Sequence, residues 1–131
     1  MNAMTGGSAI RRFKKMEFKD ILKGKENEGE EKHLPFIEIY KSHGKEEVDL
    51  VRVIVGKEVK HPNTVEHHIA WIELYGMKKS GEVIAIGRTE FSPVYAEPNT
   101  RFQVNIEEFR AFCTLAYCNL HGVWQSCIEI E

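Results

Sequence analysis

The stretch VDLVRVIV, residues 48–55, decides the fold class of this chain. Five of its eight residues are valine or isoleucine. These β-branched side chains are stiff about their first torsion and are enriched in strands rather than helices. We therefore predict a β-strand here and look for its partners on either side.

Six further short segments have the same apolar or alternating character. They are Phe36–Tyr40, His68–Tyr75, Val83–Ile86, Phe102–Ile106, Phe109–Cys118 and Val123–Ile130. Turn-forming residues separate them, at His43-Gly44, Pro62-Asn63, Lys79-Ser80-Gly81 and Pro98-Asn99. Short strands at this spacing, with no long helical pattern, predict an all-β fold built as an antiparallel β-sandwich of about seven strands.

A charged N-terminal extension precedes the strands, and it predicts one short helical turn near Phe18–Leu22. We assign residues 1–16 to a flexible tail or expression-tag remnant and residues 17–131 to a single domain. The N-terminus lacks the apolar stretch of a secretory signal, so we expect a cytoplasmic protein. A formal net charge of -2 gives no reason to expect nucleic-acid binding, and no apolar run is long enough to suggest a membrane span.

The chain has three cysteines, Cys113, Cys118 and Cys127. An odd number without a secretory signal argues against a disulfide framework and predicts at least one free thiol. Cys113 has strand parity opposite to that of Cys118, so the two side chains should face opposite ways. We expect Cys113 to lie in the core and Cys127 to be structural.

Cys118 and His121 form a Cys-x-x-His motif at the end of a predicted strand. Asn119 and Gly122 are turn formers, and a turn lets both side chains point at one ion. The motif alone is weak, because an unpaired cysteine is often only a small buried residue.

The segment HPNTVEHH, residues 61–68, is more informative. Pro62 interrupts regular structure, and Asn63 or Thr64 is suited to cap a single helical turn, which would bring His61 and His67 to the same side. His67 and His68 are adjacent at the start of a strand, so only one should reach a common ion. The alternative to a metal site is that these histidines are ordinary polar residues of a surface loop.

The candidate donors favour iron over other metals. Imidazole suits zinc, copper and iron, and a thiolate adds a soft ligand. Closed zinc sites take four ligands, and a blue-copper site needs an axial methionine, which no residue near His121 supplies. A further histidine, His33 in Glu31-Lys32-His33-Leu34-Pro35, brings the candidate donors to five. Five ligands and one open position suit a redox iron that binds a small molecule.

Three blocks of the chain, EKHLP, GKEVKHPNTVEHHI and YCNLHGVW, resemble superoxide reductases of the one-iron type. This family is also called neelaredoxin, and it corresponds to the iron-binding domain of desulfoferrodoxin. The resemblance extends from about Glu31 to Trp124 and includes WIELY and GRTEF. It implies an immunoglobulin-like sandwich and a one-electron reduction of superoxide to hydrogen peroxide.

The resemblance also implies roles for individual residues. Lys32 matches a lysine beside the open iron position, and Glu31 matches a glutamate that caps that position in the oxidised state. His68 matches a histidine that is not a ligand. One iron ion per subunit would be held by four equatorial histidines and an axial cysteine: His33, His61, His67, His121 and Cys118. Of these, His33 rests on the resemblance, because no local pattern directs it towards the others.

The family implies a rubredoxin-like electron donor and a homo-oligomer, either a dimer or a tetramer. The loop after Phe91 is shorter than is usual in the family, which leaves the oligomeric state open. No Cys-x-x-Cys precedes residue 31, so we expect no desulforedoxin-type domain. The alternatives are a β-sandwich that binds a metal or carries electrons without catalysis, and an interaction domain without metal.

Overall fold

The computed structural model describes residues 11–27, 29 and 32–131, and it confirms the predicted antiparallel β-sandwich of seven strands with an immunoglobulin-like architecture. One sheet has the order β1-β2-β5 and the other the order β4-β3-β6-β7. The strands are β1 (Pro35–His43), β2 (Val48–Val55), β3 (Ile69–Lys78), β4 (Val83–Glu90), β5 (Asn99–Gln103), β6 (Phe109–Cys118) and β7 (Gly122–Glu129).

The core lies between the two sheets and follows from the alternation of side chains along each strand. Val51, Val53 and Val55 of β2 are buried, and Leu74 of β3 and Phe112 of β6 lie among the buried residues of the facing sheet. Fully burying an apolar side chain of this size contributes about 1.5–3 kcal/mol. The strand VDLVRVIV therefore forms the centre of one sheet and supplies much of the core.

The prediction for the fifth strand was shifted along the chain. The strand begins at Asn99 rather than Phe102, and residues 106–108 form a 3-10 turn instead of extending it. Ile106 is buried from within this turn. Its burial produced the alternating pattern that suggested a longer strand.

The N-terminal extension contains the predicted helical turn, a 3-10 helix over Phe18–Asp20. Further along, Lys23 forms a parallel bridge with β7: its N–H donates to the carbonyl of Val123 at 3.0 Å, and the N–H of Gln125 donates back at 2.9 Å. The division into residues 1–16 and 17–131 stays a prediction, since residues 1–10 lie outside the described part. Across the part of the chain that is described, none of the helices has the length and apolarity needed to cross a membrane.

The expectation of no disulfide was wrong. Cys113 and Cys127 lie directly opposite each other in the β6–β7 ladder and form a disulfide. Cys113 is half-buried and Cys127 is exposed, so the pair lies on the outer face of the sheet rather than in the core. The parity argument was right, because Cys118 faces inward and is the free, buried cysteine. Counting cysteines missed the pair, since an odd total is compatible with one bridge and one free thiol.

The ends of five strands meet at one end of the sandwich. Pro35 at the start of β1 pairs with Val55 at the end of β2. Ile69 at the start of β3 pairs with Cys118 at the end of β6, which in turn pairs with Gly122 at the start of β7. The segments that carry the five predicted metal ligands all lie beside these ends, so the fold gathers them in one place.

Candidate metal centre

The loop between β2 and β3 carries His61 and His67. It forms a tight turn rather than the expected helical turn, closed by backbone hydrogen bonds in both directions between Thr64 and His67, at 2.8 and 3.2 Å. The Thr64 hydroxyl also accepts from the His67 N–H at 3.0 Å. The turn brings His61 and His67 together, with ring centroids 4.8 Å apart.

His61 enters the site in a defined tautomer. Its Nδ1 lies 2.8 Å from the carbonyl oxygen of Pro62. A carbonyl only accepts, so Nδ1 carries the proton and Nε2 presents its lone pair. The Nε2 atom is shielded from solvent. This is the arrangement of a metal-binding imidazole whose orientation is fixed by a hydrogen bond to its other nitrogen.

His68 points away from the site, as the sequence predicted, but for a different reason. The strand begins only at Ile69, so strand parity does not apply to His67 and His68. The Nδ1 of His68 instead lies 3.0 Å from the carbonyl of Thr64, within the turn.

Asn119 joins the two loops that carry four of the candidate ligands. Its side chain accepts from the His68 N–H at 2.8 Å and donates to the Glu66 carbonyl at 2.9 Å. Its own N–H donates to the His68 carbonyl at 3.1 Å. Sequence reasoning treated Asn119 only as a turn former, yet it fixes the Cys118–His121 turn against the His67 turn.

A second asparagine braces the same region from the other side. Asn63 accepts from the Val94 N–H at 2.9 Å and donates to the Ala96 carbonyl at 3.1 Å. Val94 has a φ of 76°, a conformation that β-branched residues rarely adopt. The short loop after Phe91 therefore supports the loop of His61 and His67.

The His33 side chain enters from the segment before β1 and is 5% exposed. Its Nε2 lies 3.1 Å from the Nδ1 of His121. Its ring stacks on the indole of Trp124, with centroids 4.6 Å apart and planes 13° apart. The structure thus places His33 beside the other predicted ligands, which local sequence could not establish.

The four imidazoles form a nearly square arrangement. The rings follow one another in the order His33, His61, His67, His121 and back to His33. The centroids of neighbouring rings are 4.8–5.0 Å apart, and the planes of neighbouring rings cross at 71–78°. The diagonal between His33 and His67 is longer, at 6.5 Å. The four rings therefore surround a common space.

The thiol of Cys118 completes the donor set. Its Sγ and one nitrogen each of His33, His61 and His67 lie within 4.8 Å of one another, and Sγ is 3.7 Å from the Nδ1 of His121. Metal–nitrogen bonds of about 2.1 Å place adjacent donors about 3.0 Å apart and opposite donors about 4.2 Å apart. The 3.1 Å between His33 and His121 matches the adjacent case. The residues present therefore fit a single bound metal ion.

Lys32 is exposed on the surface next to His33. It borders a shallow cleft together with Leu34, Phe36, Gly56, Lys57, Glu58 and Val59. Lys57 forms an ion pair with Glu38, and its Nζ lies 4.1 Å from the centroid of the Phe36 ring, so its charge is partly neutralised. Glu31, the predicted capping carboxylate, lies outside the described residues.

Comparison with known proteins identifies the family of this chain. The desulfoferrodoxin family model matches residues 25–127 of the chain. The chain belongs to the desulfoferrodoxin family. A superoxide reductase of Pyrococcus horikoshii is 45% identical over 107 residues, which are 77% of this chain and 89% of that protein. The neelaredoxin of Megalodesulfovibrio gigas is 36% identical over 110 residues, which cover 73% of this chain and 84% of that one.

Solved structures agree with the family assignment. A crystal structure of superoxide reductase in the oxidised state superimposes with a TM-score of 0.75 at 34% identity, covering 88% of this chain and 100% of that one. The superoxide reductase (neelaredoxin) of Ignicoccus hospitalis gives a TM-score of 0.73 at 33% identity, covering 88% and 98%. This desulfoferrodoxin-family chain therefore shares its fold over nearly the whole length of these proteins.

Proposed function

We propose that this protein is a superoxide reductase that holds one iron ion per subunit. The ligands are four histidines and one cysteine: His33, His61, His67, His121 and Cys118. The observation that carries the proposal is the square of four imidazoles beside a buried thiol. The names of the similar proteins supply the substrate, superoxide.

The donor set favours iron over the rival metals. Five donors exceed the four ligands of a closed zinc site. A blue-copper site has an axial methionine. Met77 is near the end of β3, whereas the donors gather beside its start at Ile69, so Met77 is not placed to take that role. When bound, the iron supplies the single electron that converts superoxide to peroxide.

The burial of Cys118 shows which side of the site faces the protein interior. The side chain is fully buried, whereas His67 and His121 are only partly buried. The thiolate therefore faces the interior of the protein. We infer that superoxide approaches the four imidazoles from the opposite side, which faces solvent. A thiolate donates electron density to its metal, a known means of tuning iron reactivity.

Lys32 is proposed to act on the substrate rather than to bind the metal. Lys32 is an exposed residue that directly precedes His33 in the chain, and its positive charge is suited to attract an anion to the open side and to deliver protons through water. The complete reaction takes superoxide, one electron and two protons to hydrogen peroxide. Glu31 is proposed to cap the open side in the oxidised state.

The electron must come from outside the chain. We propose a small iron protein of the rubredoxin type as donor, docking on the same solvent side, and a dimer or tetramer as the functional assembly. The cytoplasmic location stays a prediction from the sequence.

Cys118→Ser tests whether Cys118 would supply the thiolate ligand. Purified protein should contain about one iron per chain, and its oxidised form should show a thiolate-to-iron charge-transfer band in the visible spectrum. Cys118→Ser should lose the band, whereas the control Cys113→Ser/Cys127→Ser should keep it. Zinc or copper in place of iron after iron supplementation, or a band that survives in Cys118→Ser, would contradict the assignment.

Lys32→Ala tests the approach of the anion. The rate of superoxide capture, measured by pulse radiolysis, should fall most at low salt, because added ions screen exposed charges. Lys60→Ala is the matched control and should change the rate less. Equal effects of the two substitutions would remove the special role of Lys32.

A further inference from the structure

We infer that Trp124 is a positioning residue for the metal centre: its indole sets the ring plane of His33 and so aims the His33 Nε2 at the metal. The inference rests on the proposed metal-binding function. It concerns the one candidate ligand whose placement the surrounding sequence does not explain.

His33 needs such a support because its own torsions do not fix its ring. The torsion that rotates an imidazole is broad, with no sharply preferred staggered value. Neighbouring ligand rings meet His33 edge-on, at 71° and 73° for His61 and His121. The Trp124 ring, in contrast, lies nearly parallel to it, at 13° and a centroid distance of 4.6 Å.

The parallel contact restricts rotation of His33. Turning the imidazole about its Cβ–Cγ bond would drive a ring edge into the indole, and it would swing Nε2 away from the Nδ1 of His121, now 3.1 Å distant. Aromatic pairs at this spacing attract each other by more than the area they bury accounts for. The stack therefore favours one ring plane before metal binds.

Trp124 is itself held firmly. It is 3% exposed, and its Nε1–H donates to the carbonyl oxygen of His121 at 3.1 Å. The N-terminal extension bridges the β7 main chain on either side of it, and the Nζ of Lys23 lies 5.6 Å from the indole centroid. One side chain thus connects the first ligand of the chain with the last.

Two substitutions separate the stack from the hydrogen bond. Trp124→Phe keeps an aromatic ring against His33 but removes the N–H donor, whereas Trp124→Leu removes both. The full-length protein is freed of metal and titrated with Co2+, whose absorption reports thiolate and imidazole binding. Trp71→Phe is the matched control, because Trp71 lies on the other face of the sheet against Tyr117.

Trp124→Leu should weaken Co2+ binding about tenfold or more, the range found when groups supporting a ligand are removed. Trp124→Phe should stay within about threefold of the wild type, and Trp71→Phe should be unchanged. In a His33→Ala background, Trp124→Leu should add little further loss, since residues that act through one another are not additive.

Three results would overturn the inference. The first is a Trp124→Leu protein that binds Co2+ as the wild type does. The second is a Trp124→Phe protein that loses as much affinity as Trp124→Leu, which would assign the effect to the N–H. The third is a full loss from Trp124→Leu in the absence of His33, which would mean a general structural effect. A wild-type protein that binds no Co2+ would instead contradict the metal centre itself.

Discussion

The two halves of the proposed metal centre are held in different ways. The turns carrying His61, His67, Cys118 and His121 are tied to each other by hydrogen bonds of the main chain and of Asn119. His33 reaches the same point from a separate segment and packs against the ring of Trp124. The first half is a polar clamp between neighbouring loops, and the second is an aromatic contact between distant parts of the chain.

These two kinds of support predict which substitutions should disturb the site as a whole. Loss of the clamp should move four ligands at once, whereas loss of the stack should release one. Features on the outer faces of the sheets should affect stability but not metal binding. We therefore expect the effect on metal affinity to decrease from the clamp, through the backbone beside a single ligand, to the outer faces.

The largest effect is expected for Asn119→Ala. The substitution removes two side-chain hydrogen bonds, a part-buried one to the His68 N–H and an exposed one to the Glu66 carbonyl, at a cost of about 1–2 kcal/mol in the free energy of unfolding. Co2+ affinity should fall further than in Trp124→Leu. Asn105→Ala is the control, since Asn105 bonds only the exposed Glu108 among the side-chain contacts described. An Asn119→Ala protein with wild-type affinity would break the proposed contrast between clamp and stack.

Gly56→Ala should have the next largest effect, and it should act on one ligand of the clamped half. Gly56 has a φ of 82°, and a Cβ there would lie 2.6 Å from the backbone nitrogen of His61. The strained backbone alone costs of order 1–3 kcal/mol. The contact must also displace His61, so Co2+ affinity should fall.

Gly81→Ala is the control that separates the effect of backbone strain from the effect of displacing His61. Gly81 has a φ of 102°, but a Cβ at this position would have no atom of the described residues within 4 Å. Both variants should unfold at lower denaturant concentration, and only Gly56→Ala should bind Co2+ more weakly. Equal Co2+ affinity in the two variants would show that the Gly56 backbone does not position His61.

Reduction of the Cys113–Cys127 disulfide should leave metal affinity unchanged. The bond joins two strands that are already paired over eight register positions, and it lies on the face away from Cys118. A loop of this length contributes up to about 3 kcal/mol to the free energy of unfolding in the chain-entropy account. Denaturant unfolding of Cys113→Ser/Cys127→Ser should show lower stability with the same Co2+ affinity. Weaker Co2+ binding would mean that the bridge supports the Cys118 turn.

Lowering the pH should remove the contribution of Glu38 to the free energy of unfolding. This contribution does not depend on the metal centre. Hydrogen bonds from Lys57, Tyr40 and Arg52 lower the pKa of Glu38 from 4.5 to about 2. The contribution is therefore fully present above pH 4.5 and is lost as pH falls towards 2. The free energy of unfolding of the metal-free protein should decline less steeply over that range in Glu38→Gln. Parallel declines would contradict this role for Glu38.

Much of this architecture could be predicted from sequence because its signals are local. Stiff β-branched runs and turn residues give strands such as β2, and Pro62 and Asn119 mark the two turns that carry ligands. The position of His33 could not be predicted this way, because it depends on Trp124 and on which strand ends meet. The disulfide was missed for a related reason: the register of β6 against β7 pairs Cys113 with Cys127.

We expect the protein to reduce superoxide rather than to dismutate it. The most direct test exposes the iron-loaded, reduced protein to superoxide with a continuous electron donor and measures hydrogen peroxide and dioxygen together. We expect about one hydrogen peroxide for each superoxide consumed, with no dioxygen evolved. Dioxygen released alongside half that peroxide would identify a dismutase, and no protein-dependent consumption would leave only a metal-binding sandwich; either result would contradict the proposed function.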